Sequence, residues 1–398
     1  MCVIIRKNNI REVLCLAKSL KSFLSKKYPE AINIDMISDV TFIDTKIPTL
    51  NYVMTGKPKS GGIPLNGKIV CMYGPEGSGK TSLVLQFIRE VQKANTDVVF
   101  LDTERSITKP RVQQFGIDME SLIYAAPDTM EECFNIIEDI YREKVDNQTL
   151  EEPIVIIWDS IAATPTNAEI TRTADQIEIA SQAGVLTRNL RRVRGKIKKM
   201  NAGLILVQQA RANQDRFGDI FSMPGGYALH HTCDTIIRIN KMKPNEMEMG
   251  VKISTPQKNR LFKPFQNTTI QFDYASGFTK EKIIDSFCEF LKSVEILGQA
   301  GSWCYLKTDL DDVMKNNPNL SEKEARAEIN KFYLKDFSKR LLEDENYYNE
   351  ILEKAEDYVN KNIAKVAKIM IDDEVKPEDI ENYEKGVEIK PPYKDEEN

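Results

Sequence analysis

Four short apolar runs set the rhythm of the chain: Lys68–Tyr73, Val98–Asp102, Ile154–Ser160 and Leu204–Val207. Each reads as a strand buried on both faces. Ser82–Ile88, between the first two, has the apolar spacing of a helix packed on a sheet. Strand and helix in alternation predict an α/β core, with a mainly parallel central sheet flanked by helices. Ile236–Ile239, Val251–Ser254 and a late strand, Thr268–Tyr274, continue the pattern, which ends near residue 275. Upstream, Ile10, Val13, Leu14, Leu16, Ala17, Leu20 and Phe23 share one helical face, so an amphipathic helix is expected over 9–27, joined to the core by a linker. Downstream, helices are expected over Ser286–Leu297 and Ser321–Phe337, the second opened by a capping box at Ser321 and Glu324. A charged helix over Glu343–Met370 and a disordered acidic tail over 371–398 follow. The expected division is therefore 1–40, 41–275, 276–370 and 371–398.

Of the 398 residues, 41% are apolar and 29% charged, the balance of a globular protein with about two or three units. No stretch approaches the roughly 20 apolar residues of a membrane span. Met1–Lys7 places a short apolar segment ahead of its charges, the reverse of a secretory leader, so a cytoplasmic location is expected. Seven cysteines are scattered with no C-x-x-C pair, and the two histidines, His230 and His231, are adjacent and point apart. Neither a zinc site nor a disulfide framework is indicated. Residues 371–398 hold eleven acidic residues against four lysines, a local charge of −7 within a net −5, which leaves the rest of the chain at +2. A faintly basic body with an acidic tail leaves nucleic acid open as a partner.

The chemistry begins at Gly74-Pro75-Glu76-Gly77-Ser78-Gly79-Lys80-Thr81, which fits the phosphate-binding P-loop at every fixed position and lies between a predicted strand and a predicted helix. Its glycines let backbone N–H groups turn toward phosphates at a helix N-terminus. Lys80 then reaches the distal phosphates and the Thr81 hydroxyl holds Mg²⁺. Glu104, Asp159 and Gln209 stand at or just past the C-terminal ends of three predicted strands, the edge where open α/β sheets bind ligands. Two polar stretches leave the same edge, 164–176 and 211–227. The second mixes Arg211 and Arg216 with Phe217, Phe221 and Tyr227, a composition suited to phosphates and unstacked bases. Arg188 to Lys199 is a basic run without an acidic residue, readable equally as a binding surface or as a solvated helix face.

Taken together these segments resemble the RecA recombinases of bacteria and bacteriophages, over about residues 40–305. The carriers are the P-loop with its Gly-Pro-Glu opening, Leu101-Asp102-Thr103-Glu104, Ala126-Pro127-Asp128-Thr129, Ile156–Ala163, Gln208-Gln209-Ala210-Arg211, Gly225-Gly226-Tyr227, Lys258-Asn259-Arg260 and Gly301-Ser302-Trp303. The resemblance implies that Gly74 to Ser82 bind ATP, that Thr81 and Asp159 hold Mg²⁺, and that Glu104 activates the attacking water. It implies that Gln209 senses the γ-phosphate and that Lys258 and Arg260 reach the nucleotide of a neighbouring subunit. Arg172, Arg211, Arg216, Phe217, Phe221, Gly225 and Gly226 fall in the two loops that in the family bind DNA. At the positions that hold adenine in the family stand Thr108 and Arg111, and Arg111 offers a planar cation to stack on a base. The activity implied is a DNA-dependent ATPase, filamentous on single-stranded DNA, that pairs homologous duplex DNA and exchanges strands in recombination and repair. A ring-forming helicase of the same core and a mediator that uses ATP as a switch are the alternatives.

Overall fold

The computed structural model describes residues 39–372 except 172–180, 213–220, 225, 243–247, 256–257 and 274–276, together with 22–23 and 26–27. Of the expected N-terminal helix only those four residues are described; they are helical, with Phe23 exposed. Nearly all of the acidic tail lies outside the described residues.

Strands β1 (Phe42–Ile43) and β2 (Ile63–Pro64) pair around helix α1 (Pro48–Thr55). β3 (Lys68–Gly74) runs through the glycine turn into α2 (Lys80–Lys93), followed by β4 (Asp97–Asp102), α3 (Lys109–Gln114), β5 (Ile123–Ala125) and α4 (Met130–Asp146). Next come β6 (Ile154–Asp159), α5 (Asn167–Thr171), α6 (Ser181–Ile197) and β7 (Ala202–Gln209). A small ribbon of β8 (Arg211–Ala212) and β9 (Phe221–Ser222) precedes α7 (Gly226–Thr232), β10 (Thr235–Lys241), β11 (Glu248–Ser254) and β12 (Asn267–Asp273). The eight-stranded sheet has the order β12-β11-β10-β3-β7-β6-β4-β5. It is parallel from β10 to β5, with β11 and β12 added antiparallel. This is the mainly parallel α/β sheet that the apolar runs predict.

Those runs are apolar throughout because both faces are covered. Alternate residues of each strand go to opposite sides. Met72, Phe100, Ile157 and Val207 pack under Leu83, Phe87 and Val91 of α2, while Cys71, Leu101, Trp158 and Leu206 pack against Phe134 of α4 and Leu190 of α6. Trp158 is fully buried, donates its indole N–H to Thr164 at 3.0 Å and meets Phe134 edge-on.

Beyond the sheet lie α8 (Lys280–Ser293), the hairpin β13 (Leu297–Ala300) and β14 (Trp303–Leu306), α9 (Lys307–Asn316), α10 (Glu322–Glu328), α11 (Leu334–Glu343) and α12 (Glu345–Asp372). Two expected helices need correcting. The first begins at Lys280, capped by Thr279, and stops at Ser293, so that Leu297 opens a strand. The second breaks after Glu328, although its capping box at Ser321 and Glu324 is present. Ile329 turns extended and inserts beside Tyr305 and Leu310, and Phe332 bonds through its backbone to Cys304 on β14. Tertiary packing overrides a helical pattern there. Phe287, Leu291, Phe337, Leu341 and Ile351 form the core of this region. No helix among the described residues is long and apolar enough to cross a membrane.

Candidate nucleotide site

Parallel strands all deliver their C-terminal ends to one edge, and the cleft opens there. Gly74 pairs with Gln209 and Asp102 with Asp159 in register, so the glycine turn, Asp159 and Gln209 stand side by side. The cleft encloses about 280 Å³ and is lined by Glu76, Gly77, Gly79, Lys80, Thr81, Ser82, Glu104, Arg111, Asp159, Gln209 and Phe272.

The turn has the backbone its glycines require. Gly77 and Gly79 have φ of 62° and 88°, and Gly79 sits in the N-cap position of α2. A Cβ at Gly74 would stand 2.1 Å from the Ile239 carbonyl oxygen, so only glycine fits. Lys80 is buried and donates to the carbonyls of Gly74 at 3.0 Å and Pro75 at 2.8 Å. Ser78 Oγ is buried with no hydrogen-bond partner among the described residues. A helix N-terminus, left-handed glycines and a lysine at the turn make a donor set for a polyphosphate.

Beside it, Thr81 Oγ1 donates to Asp159 Oδ2 at 2.9 Å. Burial pushes the Asp159 carboxyl up to about 6, helped by the Glu104 and Asp102 carboxylates and opposed by Thr81 and Lys80. The Asp159 carboxylate beside the Thr81 hydroxyl offers oxygen donors of the kind a hard divalent cation takes. Glu104 Oε1 accepts from Ser160 Oγ and from Gln209 Nε2, the latter at 3.2 Å. Gln208, one residue earlier, donates to the Pro224 carbonyl at 3.0 Å, which ties the end of β7 to the segment after β9. At the far end of the cleft the Arg111 guanidinium lies 4.9 Å from the Phe115 ring centroid and donates to Gln114 and to Ser82 Oγ.

Not every predicted residue comes to this cleft. Lys258 donates to the His230 carbonyl, and Arg260 pairs with Asp234 at 3.3 Å. Both flank the start of β10, where Thr235 pairs with Val70 of β3. Gly74 is four residues further along β3, on the order of 13 Å away. Within one chain these two cations serve the opposite edge of the sheet. The stretch from 211 is not structureless where it is described: Arg211 pairs with Ser222 and Ala212 with Phe221 in a two-stranded ribbon. Arg211 is exposed, and Gly226 opens α7. Arg172, Arg216, Phe217 and Gly225 lie outside the described residues.

Sequence reasoning gave no role to Ser160, Lys241 or Phe272, all beside the turn or cleft. Ser160 sat inside a quoted strand and carried a hydroxyl that only the fold aims at Glu104. Lys241 and Phe272 end strands more than a hundred residues from the P-loop, with no spacing to tie them to it.

A model of the RecA N-terminal domain matches residues 33–279. The chain is 31% identical over 274 residues to Protein RecA of Leptospira meyeri, spanning 65% of this chain and 67% of that protein. Against Protein RecA of Helicobacter acinonychis it is 30% identical over 283 residues, 69% of this chain and 78% of the relative. A third, Protein RecA of Helicobacter pylori, is 32% identical over 251 residues, 61% and 69% of the two chains. With the sheet order and the glycine turn already in place, these matches identify the chain as a member of the RecA family.

Proposed function

We propose that this chain is a DNA-dependent ATPase that polymerises on single-stranded DNA and promotes pairing and strand exchange with homologous duplex DNA. The observation that carries the reading is the junction at Gln209. Its side chain donates to Glu104, and the chain enters the β8–β9 ribbon two residues later. One residue thus belongs both to the hydrolytic centre and to the base of the DNA-binding loop, so ATP and DNA bias the same ordered segment.

ATP lies with its phosphates on the turn from Gly74 to Thr81 and its base toward Arg111 and Phe272. Thr81 and Asp159 would hold Mg²⁺, which would supply positive charge against the phosphate oxygens. Glu104 accepts the proton of the attacking water, with Ser160 and Gln209 fixing the carboxylate. Lys80 stabilises charge on the transferred phosphoryl group. Lys258 and Arg260 serve the nucleotide of an adjacent subunit, which makes turnover depend on assembly. Arg211, Phe221 and the rest of the ribbon take single-stranded DNA through phosphates and stacked bases. Residues 1–40 are assigned to assembly, 41–275 to the ATPase core, 276–370 to a helical domain and 371–398 to an acidic tail.

Glu104→Gln keeps the hydrogen bonds but removes the base. It is expected to bind ATP and DNA like the parent and to hydrolyse at least about 100-fold more slowly. Parental turnover in that variant would remove Glu104 from this role.

A further inference from the structure

Lys241 is the last residue of β10, which runs parallel to β3 and ends at the same edge. Its side chain crosses to the glycine turn. A Cβ built on Gly77 would stand 2.8 Å from Lys241 Nζ and 3.2 Å from Cε, and those are the only atoms it would meet. The ammonium thus rests against the backbone of the turn at Gly77. Among the described residues the Lys241 ammonium has no hydrogen-bond or ion-pair partner.

Two ammonium groups therefore address one turn. Lys80 donates to the carbonyls of Gly74 and Pro75 from inside, and Lys241 lies on Gly77 from outside. Like charges brought together at a donor-lined turn call for an anion between them. The direction along the cleft is also set. Arg111 bonds to Ser82 in the first turn of α2, whereas Gly77 precedes that helix; with the base placed toward Arg111, as proposed above, the phosphate chain runs toward Gly77.

We propose that Lys241 is a phosphate-binding residue of the nucleotide site, a second cation supplied in cis that contacts the terminal phosphate of a nucleoside triphosphate. This rests on the reading of the cleft as a triphosphate site.

The test is displacement of a fluorescent ATP analogue by ATP and by ADP, with Mg²⁺, in the full chain and in Lys241→Gln and Lys241→Arg, alongside single-stranded DNA binding. One charge-assisted contact predicts that Lys241→Gln weakens ATP about tenfold and ADP less than about twofold. Lys241→Arg should stay near the parent. Unchanged ATP affinity in Lys241→Gln, equal loss for ATP and ADP, or a loss confined to DNA binding would each overturn the assignment. A parent chain that binds neither nucleotide would instead overturn the triphosphate reading, and this proposal with it.

Discussion

Asp159 is where stability and chemistry pull apart. Its carboxyl titrates near 6 because it is buried beside Glu104 and Asp102, whereas an unfolded aspartate titrates near about 4. The folded state therefore binds more protons between about pH 4 and 6, and the stability of the ligand-free chain falls as pH rises through that window. Asp159→Asn keeps an oxygen for Thr81 and removes the buried charge. Its expected effect at pH 8 is a stabilisation of about 2–3 kcal/mol, read by urea unfolding, together with loss of Mg²⁺-dependent nucleotide binding. A variant no more stable than the parent at pH 8 contradicts the assigned burial cost. In the parent, Mg²⁺ affinity should decline as pH drops below about 6, because a cation needs the ionised carboxylate. Glu104, Asp159 and Gln209 were legible in the sequence because each follows an apolar strand. Ser160 and Lys241 were not, since their partners lie 56 residues away at Glu104 and across the sheet at Gly77.

The basic run from Arg188 to Lys199 shows what an element hides. It lies on α6 and the turn after it, and two of its cations are counter-charges for Glu138 of α4. Glu138 is 8% exposed at its side chain and is bonded by Lys196 at 2.9 Å and by Arg192. Burial raises its pKa, but Lys196, Arg192 and Arg142 outweigh that and hold it below the usual carboxylate range. Helical periodicity could mark the apolar face of α6 but could not find a carboxylate on another helix. Changing Arg192 and Lys196 together to alanine leaves that carboxylate with Arg142, at 3.7 Å, as its remaining counter-charge among the described residues. A loss of about 3 kcal/mol at pH 7 is expected, shrinking as pH falls and the carboxyl is protonated; urea unfolding at pH 5 and 7 checks both. The same limit explains the helices misplaced after residue 275. Their sequence has helical spacing, but Ile329 and Phe332 gain more by packing on the β13–β14 hairpin than by staying in register.

At the scale of the molecule, Lys258 and Arg260 face away from the cleft of their own chain, so their proposed role exists only between copies. Hydrolysis should then rise steeply with protein concentration, and Arg260→Ala should lower turnover far more than it lowers ATP affinity. Fold class was legible because buried parallel strands advertise themselves as unbroken apolar runs, and the site because a P-loop needs a fixed spacing. The proposed assembly rests on the family resemblance, because its contacts would be made between chains. Cutting the chain after Met370 removes the whole −7 tail, and stronger duplex DNA binding is expected, most evident at low salt. Unchanged binding would leave the tail without that regulatory part. The most direct test of the account is steady-state ATP hydrolysis with and without single-stranded DNA, with the same samples imaged by electron microscopy. The account predicts DNA-stimulated turnover by helical filaments; turnover indifferent to DNA, or closed rings in place of filaments, would contradict it.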